Sequence, residues 1–220
     1  WKYTQSGINC AARIVEIASG KSFPAFLTER VFGPLGMKDT THTPAGGQIT
    51  RIATPYARNK DSGVLEPGRV ASPVPGERPP TGNAGLYASA KDYARFCQML
   101  LNGGSLEGRR YLSAEAMTYL TMPQTRDLPT GFFQNDVYGQ YGSNYGWGIG
   151  TCILKRPHAG LAAMLSPGTY GHGGAWGTQA WIDPVKGVAY VLMVQRSNFP
   201  NSDASVVRLR FQEAVAAALR

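Results

Sequence analysis

Tyr3 is the first residue of the chain whose type and position could do chemistry, because it stands directly before a helical pattern. A tyrosine hydroxyl has an ordinary pKa of about 10, so it acts as a general base near neutral pH only where nearby cations lower that pKa. The alternative interpretation is a packed aromatic ring at the start of a helix. Tyr3 is therefore a candidate base that requires positive neighbours.

A second candidate is the glycine-rich segment Gly171-His-Gly-Gly-Ala-Trp-Gly-Thr178. Glycines in a strand permit the close approach of another backbone, and an exposed N–H of such a strand can stabilise an oxyanion. A glycine-rich hairpin with a solvent-facing His172 explains the same residues, and spacing alone does not separate the two interpretations. A third segment, Gly82–Ser89, is interpreted as a turn followed by a helix N-cap at Ser89.

Several kinds of site are excluded by the motifs that the sequence lacks. It contains no G-x-S-x-G, H-E-x-x-H or P-loop motif, and the glycines of 146–150 lack the spacing of a dinucleotide-binding loop. His42, His158 and His172 are far apart, and no cysteine or carboxylate accompanies them at ligand spacing. We therefore predict neither a metal site nor a cofactor.

Composition indicates a globular protein with a basic surface. The chain has 220 residues, of which 43% are hydrophobic and 16% charged, and its formal net charge is +8. The basic residues form no long run, and the densest groups, Arg109-Arg110 and Arg208-Leu-Arg210, lack interleaved aromatics, so no nucleic-acid partner is predicted. No apolar window is long enough for a transmembrane segment. Cys10 and Cys97 fall in predicted helices and are expected to be core thiols.

The hydrophobic periodicity predicts helices first and strands later, which is the pattern of an α+β protein. Helices are predicted over Ser6–Gly20, from Ser22 until Pro34 and Gly36 end the helix, over Ala90–Leu101, after Ser113 and over Ser202–Leu219. Strands are predicted over Tyr145–Leu154, Gln179–Pro184 and Val188–Val194. Between Thr41 and Thr81 the chain is expected to form a long excursion with at most short strands. We interpret 1–220 as part of a single domain, with a mostly helical and loop region at 1–144 and a strand meander with a final helix at 145–220.

Taken in order, four segments resemble the serine β-lactamase-like hydrolases, a family that includes class C β-lactamases, esterases, D-amino-acid peptidases and penicillin-binding proteins. The segments are Tyr3-Thr-Gln5 with the helix that follows, Val31-Phe-Gly-Pro-Leu-Gly-Met-Lys-Asp-Thr40, Gly85-Leu-Tyr-Ala-Ser-Ala-Lys-Asp-Tyr-Ala-Arg-Phe96 and Gly171-His-Gly-Gly174. The resemblance covers nearly the whole chain. It implies a β-lactamase/transpeptidase-like fold, with an antiparallel sheet flanked by helices and a helical subdomain.

The resemblance also implies roles for particular residues. Tyr3 matches the tyrosine that assists proton transfer, His172 matches the strand motif that lines the site, and the backbone N–H of Ala175 matches an oxyanion donor. The implied substrate-binding residues are Gln5, Gly173, Gly174 and Trp176. In the family a Ser-x-x-Lys motif supplies the nucleophile of an acyl-enzyme, and no serine of this sequence is followed by lysine at that spacing.

The chain is therefore interpreted as a C-terminal portion whose N-terminal part, with Ser-x-x-Lys, is missing and comes from an upstream segment or a companion chain. Gln5 replaces the family's usual asparagine. His172 replaces the usual lysine, whose permanent charge faces a substrate carboxylate, and this favours an ester or a peptide-like amide as the substrate. The alternative is a noncatalytic relative that binds a peptide or a cell-wall ligand. A periplasmic or secreted location is expected from the resemblance alone.

Overall fold

The chain divides into two compact units, and helix α1, Ser6–Ser19, lies in one of them. The computed structural model describes residues 1, 3–68, 81–128, 130, 142–157, 164–197 and 205–219. Its contacts form one unit from Thr4–Phe96 and another from Trp1–Tyr3 with Cys97–Arg220. The predicted division at residue 144 rests on secondary-structure type instead and stays a prediction.

The first two predicted helices of the unit Thr4–Phe96 are confirmed. Helix α1 ends at Gly20, whose φ of 67° is left-handed and whose N–H donates to the Glu16 carbonyl. Ser22 then caps α2, Phe23–Leu27, which continues through a π-helical turn, Thr28–Phe32, into α3, Gly33–Leu35. Pro34 lies inside this last turn instead of ending it, and the helix ends at Gly36.

The excursion after α3 contains only short elements within its described residues, as predicted. A 3-10 helix over Gly46–Arg51 is followed by two antiparallel strands, β1 (Tyr56–Arg58) and β2 (Leu65–Pro67). Helix α4, Ala90–Leu101, follows, and the Ser89 hydroxyl accepts a hydrogen bond from the Asp92 N–H. The predicted capping role of Ser89 is confirmed.

Helix α1 is apolar on more than one side. Ala12 is buried, whereas the side chains of Ile14 and Ile17 are 64% and 70% exposed. Cys97 is buried as predicted, but Cys10 on α1 is exposed, so its prediction as a core thiol is wrong. The cause is that the outer side of α1 stays open to solvent, although its residue types are those of a core.

The other unit is built on a five-stranded antiparallel sheet in the order β5-β6-β7-β8-β9. A small hairpin and helix α5, Ala114–Thr121, precede the sheet, and Ser113 caps α5 as predicted. The hairpin consists of β3 (Ser105–Leu106) and β4 (Arg109–Arg110), and the sheet of β5 (Tyr145–Trp147), β6 (Cys152–Leu154), β7 (Tyr170–Gly173), β8 (Gln179–Asp183) and β9 (Val188–Leu192). The predicted strand over Tyr145–Leu154 is thus two strands joined by a turn.

Helix α6, Val206–Ala218, packs against the sheet and completes this unit. Its Phe211 and Val215 contact a core of buried side chains, and Arg208 lies over the ring of Trp181 with 4.2 Å between Cζ and the ring centroid. The buried core residues are Tyr145, Trp147, Cys152, Leu154, Leu165, Trp181 and Tyr190. The predicted α+β class with an antiparallel sheet is confirmed. Among the described residues, no helix combines the length and the apolar character needed to cross a membrane.

Candidate active site

The structure brings Tyr3 and His172 together, although 169 positions separate them in the chain. Strand β7 fixes His172, because this residue pairs with Ala180 of β8 in the middle of the sheet. The Tyr3 hydroxyl lies 3.2 Å from Nε2 of His172, and Nδ1 of His172 contacts the Gly173 carbonyl. The hydroxyl and the imidazole can therefore exchange or share a proton.

Two indole rings pack around this pair. The ring of Trp147 lies with its centroid 5.5 Å from that of Tyr3 and 5.4 Å from that of His172. Trp1 stacks on Trp147 at 5.4 Å between centroids with 26° between the ring planes. The sequence interpretation missed both tryptophans, since the Tyr-Gly-Trp run at 145–147 was considered only as part of a strand.

Burial acts on the pKa of both members of the pair. It raises the pKa of Tyr3 above the ordinary tyrosine value. It lowers the pKa of His172 below the ordinary histidine value, and the contact with the Gly173 carbonyl partly opposes this effect. His172 is therefore neutral at pH 7, and Tyr3 stays protonated unless a cation comes close to it. Base catalysis by Tyr3 requires such a cation.

The backbone beyond His172 has two features that depend on glycine. A Cβ on Gly171 would stand 2.1 Å from the Ala180 carbonyl oxygen, so only glycine allows β7 and β8 to approach this closely. The chain then turns, since Gly177 N–H donates to the Gly174 carbonyl and Gly174 N–H donates to the Thr178 carbonyl. Ala175 is exposed at the second position of this turn, between the two residues whose hydrogen bond closes it.

Trp176 occupies the third position of the same turn. Its carbonyl accepts a hydrogen bond from the Arg196 N–H at 3.0 Å, which ties the turn to the segment after β9. Gly173, Gly174, Ala175 and Trp176 therefore extend from the strand that carries His172. Their predicted contacts with substrate stay predictions.

Gln5 belongs to the unit Thr4–Phe96, whereas Tyr3 belongs to the other unit. The Gln5 Oε1 accepts a hydrogen bond from Asn83 Nδ2 at 2.8 Å, and the Asn83 N–H donates to Asn9 Oδ1. Gly82 allows this arrangement, because a Cβ there would stand 2.4 Å from the Ile8 carbonyl oxygen. The segment Gly82–Ser89 thus holds the Gln5 amide as well as capping a helix, a role that the sequence analysis did not assign.

The described residues contain no group of three or more histidine, cysteine, aspartate or glutamate side chains that could hold a metal ion. His42 packs edge-on against Phe23, and burial lowers its pKa. His158 lies outside the described residues.

An antiparallel sheet with a helix packed on it is the arrangement expected from the sequence resemblance. The sequence model of the Beta-lactamase family matches residues 1–214. The chain belongs to the Beta-lactamase family. Among curated relatives, a protein of Escherichia coli O157:H7 with the provisional name D-alanyl-D-alanine carboxypeptidase is 28% identical over 204 residues. This match covers 86% of the chain but 44% of the relative, so the chain spans about half the length of that protein.

Solved structures support the same fold. A LovD6 mutant of simvastatin synthase from Aspergillus terreus aligns over 100% of this chain and 55% of its own length, with a TM-score of 0.78 and 22% identity. EstCE1, described as a hydrolase with promiscuous acyltransferase activity, aligns over 98% of this chain and 56% of its own length, with a TM-score of 0.73 and 20% identity. The predicted β-lactamase-like fold is confirmed.

Proposed function

We propose that the chain is part of a serine hydrolase that acts through an acyl-enzyme on esters or peptide-like amides. The observation that carries this proposal is the distance of 3.2 Å between the Tyr3 hydroxyl and Nε2 of His172. A half-buried tyrosine and a neutral imidazole in hydrogen-bonding distance form a route for a proton between a nucleophile and a leaving group. Family membership is consistent with this chemistry.

In the proposed reaction, a serine oxygen from a Ser-x-x-Lys segment outside this chain attacks the substrate carbonyl. The serine proton passes through the lysine and Tyr3 to the leaving alcohol or amine, which departs as the acyl-enzyme forms. Water then attacks the acyl-enzyme, releases the acid and restores the serine hydroxyl. The lysine also supplies the cation that Tyr3 needs, because a positive charge beside the hydroxyl lowers a pKa that burial raises.

The proposed oxyanion donors are the N–H of Ala175 and that of the serine itself. Ala175 lies in the turn after β7, three residues beyond His172 in the chain, and its side chain is a methyl group that leaves the backbone accessible. Two converging N–H groups stabilise the charge that develops on the carbonyl oxygen in the transition state.

Two surfaces are consistent with an additional segment. Ile14 and Ile17 of α1 are largely exposed, although isoleucine is a typical core residue. Strand β9 is an edge of the sheet in the part of the chain that the structure describes, and an edge strand offers N–H and C=O groups for pairing. The proposed upstream segment or companion chain brings Ser-x-x-Lys and covers one or both surfaces.

The first test is intact mass spectrometry on the natural polypeptide that contains residues 1–220, before and after treatment with a fluorophosphonate. We expect one covalent adduct, located on a serine outside residues 1–220. We also expect Tyr3→Phe to lower kcat for an activated ester by about 10²- to 10⁴-fold, the usual range for general acid–base catalysis. Tyr119→Phe, the same change at an exposed residue of α5, should leave kcat unchanged.

The alternative function is a noncatalytic groove that binds a peptide or cell-wall ligand. The missing Ser-x-x-Lys motif favours it, because no serine of residues 1–220 is followed by lysine at that spacing. Absence of both adduct and turnover in the natural polypeptide would contradict the hydrolase, and binding of a cell-wall peptide in calorimetry would then support this alternative. A periplasmic or secreted location is proposed from the family alone and is tested by cell fractionation of the native protein.

A further inference from the structure

Asn83 contacts the start of helix α1 at two points. Its backbone N–H donates to Asn9 Oδ1 at 3.1 Å, and its side-chain Nδ2 donates to Gln5 Oε1 at 2.8 Å. The Asn9 N–H donates to the Gln5 carbonyl, so the two residues lie one helical turn apart on the same side of α1. One residue from a distant part of the sequence therefore binds two side chains of this face at once.

The turn that carries Asn83 is fixed by contacts of its own. Thr81 and Ala84 form a β-bridge. Gly82 and Asn83 are the two central residues of the turn between them. A Cβ on Gly82 would stand 2.4 Å from the Ile8 carbonyl oxygen, so this glycine lets the turn lie directly against α1. The Asn83 side chain therefore extends from a main chain whose position is set by α1.

The Gln5 amide is held by this turn and not by its own helix. Gln5 is the N-cap residue of α1, yet its side chain makes no capping hydrogen bond to that helix, all of which the structure describes. An exposed glutamine side chain has several rotamers, and ordering it when a ligand binds costs free energy. The hydrogen bond from Asn83 orders the amide before a ligand arrives.

The same contact sets the polarity of the Gln5 amide. Because Oε1 accepts from Asn83, the end of the amide that remains for another contact is Nε2, which carries two N–H donors. An aspartate at position 83 has almost the size of asparagine but only acceptor oxygens, so it binds Nε2 and turns Oε1 outward instead. The residue at position 83 therefore decides which end of the Gln5 amide is presented.

We propose that Asn83 is a positioning residue, which acts on the substrate through Gln5 by fixing the direction and the polarity of the Gln5 amide. Asn83 itself does not touch the substrate in this arrangement. The inference rests on the proposed function and on the predicted contact between Gln5 and the substrate. It adds the turn before α4 to the parts of the chain that determine substrate binding.

The test is a double-mutant cycle on the natural polypeptide that contains residues 1–220. The substrate is the 4-nitrophenyl ester of N-acetylglycine, whose acyl amide offers the Gln5 amide a hydrogen-bonding partner. We expect Gln5→Ala to raise KM by about three- to tenfold and Asn83→Ala by about two- to fivefold, with kcat changed by less than about twofold, because both changes weaken binding more than the chemical step. In the Gln5→Ala background, Asn83→Ala should have no further effect on KM.

Two further variants separate positioning from a merely structural role. Asn83→Asp still pairs with Gln5 but reverses its amide, so it should raise KM at least as much as Asn83→Ala does, and this effect should disappear in the Gln5→Ala background. Asn102→Ala removes a matched exposed contact, from Gln98 Nε2 to Asn102 Oδ1 at 2.9 Å, and should leave KM unchanged.

Three results would overturn the inference. They are an unchanged KM in Gln5→Ala, an unchanged KM in Asn83→Ala, and an effect of Asn83→Ala or Asn83→Asp that persists in the Gln5→Ala background. All three include turnover of the ester, whereas no turnover and no fluorophosphonate adduct would overturn the proposed function itself.

Discussion

At the scale of single residues, the site depends on a histidine that stays neutral. Burial lowers the pKa of His172, so the folded chain takes up a proton on this ring at a lower pH than the unfolded chain does. The contribution of His172 to the free energy of unfolding is therefore highest above about pH 6.5, the ordinary histidine pKa, and falls as the pH drops through the pKa of the folded state. The sign follows because the unfolded chain binds more protons in that window.

We expect NMR titration of the imidazole signals to give His172 a midpoint below 6.5. His42, whose pKa burial also lowers, should behave similarly, and His172→Asn identifies the signal. A midpoint at or above 6.5 would contradict this assignment.

The sequence predicted Tyr3 and His172 as candidate site residues, but it did not predict the rings that pack around them. Tyr3 and His172 were recognisable because motif order places each of them beside a typical element. Trp147 was not recognisable, since its contact with His172 depends on the pairing of β5, β6 and β7, which no local pattern contains. The direction of the Tyr3 pKa shift could not be predicted from the sequence either, because it follows from burial and not from residue type.

At the scale of elements, the spacing of β7 and β8 positions His172. A methyl group on Gly171 would overlap the Ala180 carbonyl and the Trp181 Cα, so Gly171→Ala must push the strands apart. Overpacking of this kind costs about 1–3 kcal/mol. We expect a lower urea midpoint and a loss of turnover, because His172 moves with the strand. Gly47→Ala has no atom within 4 Å of its new methyl group and should leave both unchanged.

Asp92 connects the segment after α3 to the start of α4. Its Oδ2 accepts hydrogen bonds from the Asp39 N–H at 2.7 Å and from the Thr40 hydroxyl at 2.9 Å, and its side chain is buried. Asp92→Ala leaves these donors without this acceptor, which costs about 1–3 kcal/mol. Thermal or urea unfolding measures the loss. Asp127→Ala, at an exposed aspartate, should have little effect, and equal effects of the two variants would contradict the role of Asp92.

Most helices were predictable because their ends carry local signals. Gly20 and Gly36 adopt left-handed φ, and Ser22, Ser89 and Ser113 accept capping hydrogen bonds, so residue type marks each boundary. The turn inside 145–154 was missed, since Gly148-Ile-Gly150 interrupts a run rich in strand formers without a standard hairpin pair. The exposed side of α1 could not be foreseen, because periodicity shows which residues are apolar and not what covers them.

At the scale of the whole molecule, the exposed isoleucines of α1 predict how the 220-residue chain behaves alone. Exposed apolar surface of this kind promotes association and dye binding. We expect chain 1–220 to bind the dye ANS and to self-associate more than the natural polypeptide does, and Ile14→Lys with Ile17→Lys to reduce both effects. Sedimentation and ANS fluorescence measure them. A monomeric chain 1–220 without dye binding would indicate that nothing needs to cover this surface.

The positions of the tryptophans have a consequence for how the protein can be observed. Of the four tryptophans in the sequence, Trp1 and Trp147 pack around the Tyr3–His172 pair and Trp176 lies in the turn after β7, which leaves Trp181 alone beneath α6. Most of the intrinsic emission therefore arises beside the proposed chemistry. Arrival of an acyl group, or protonation of the imidazole next to Trp147, should quench or shift that emission, so the protein carries its own optical reporter of occupancy without an added label.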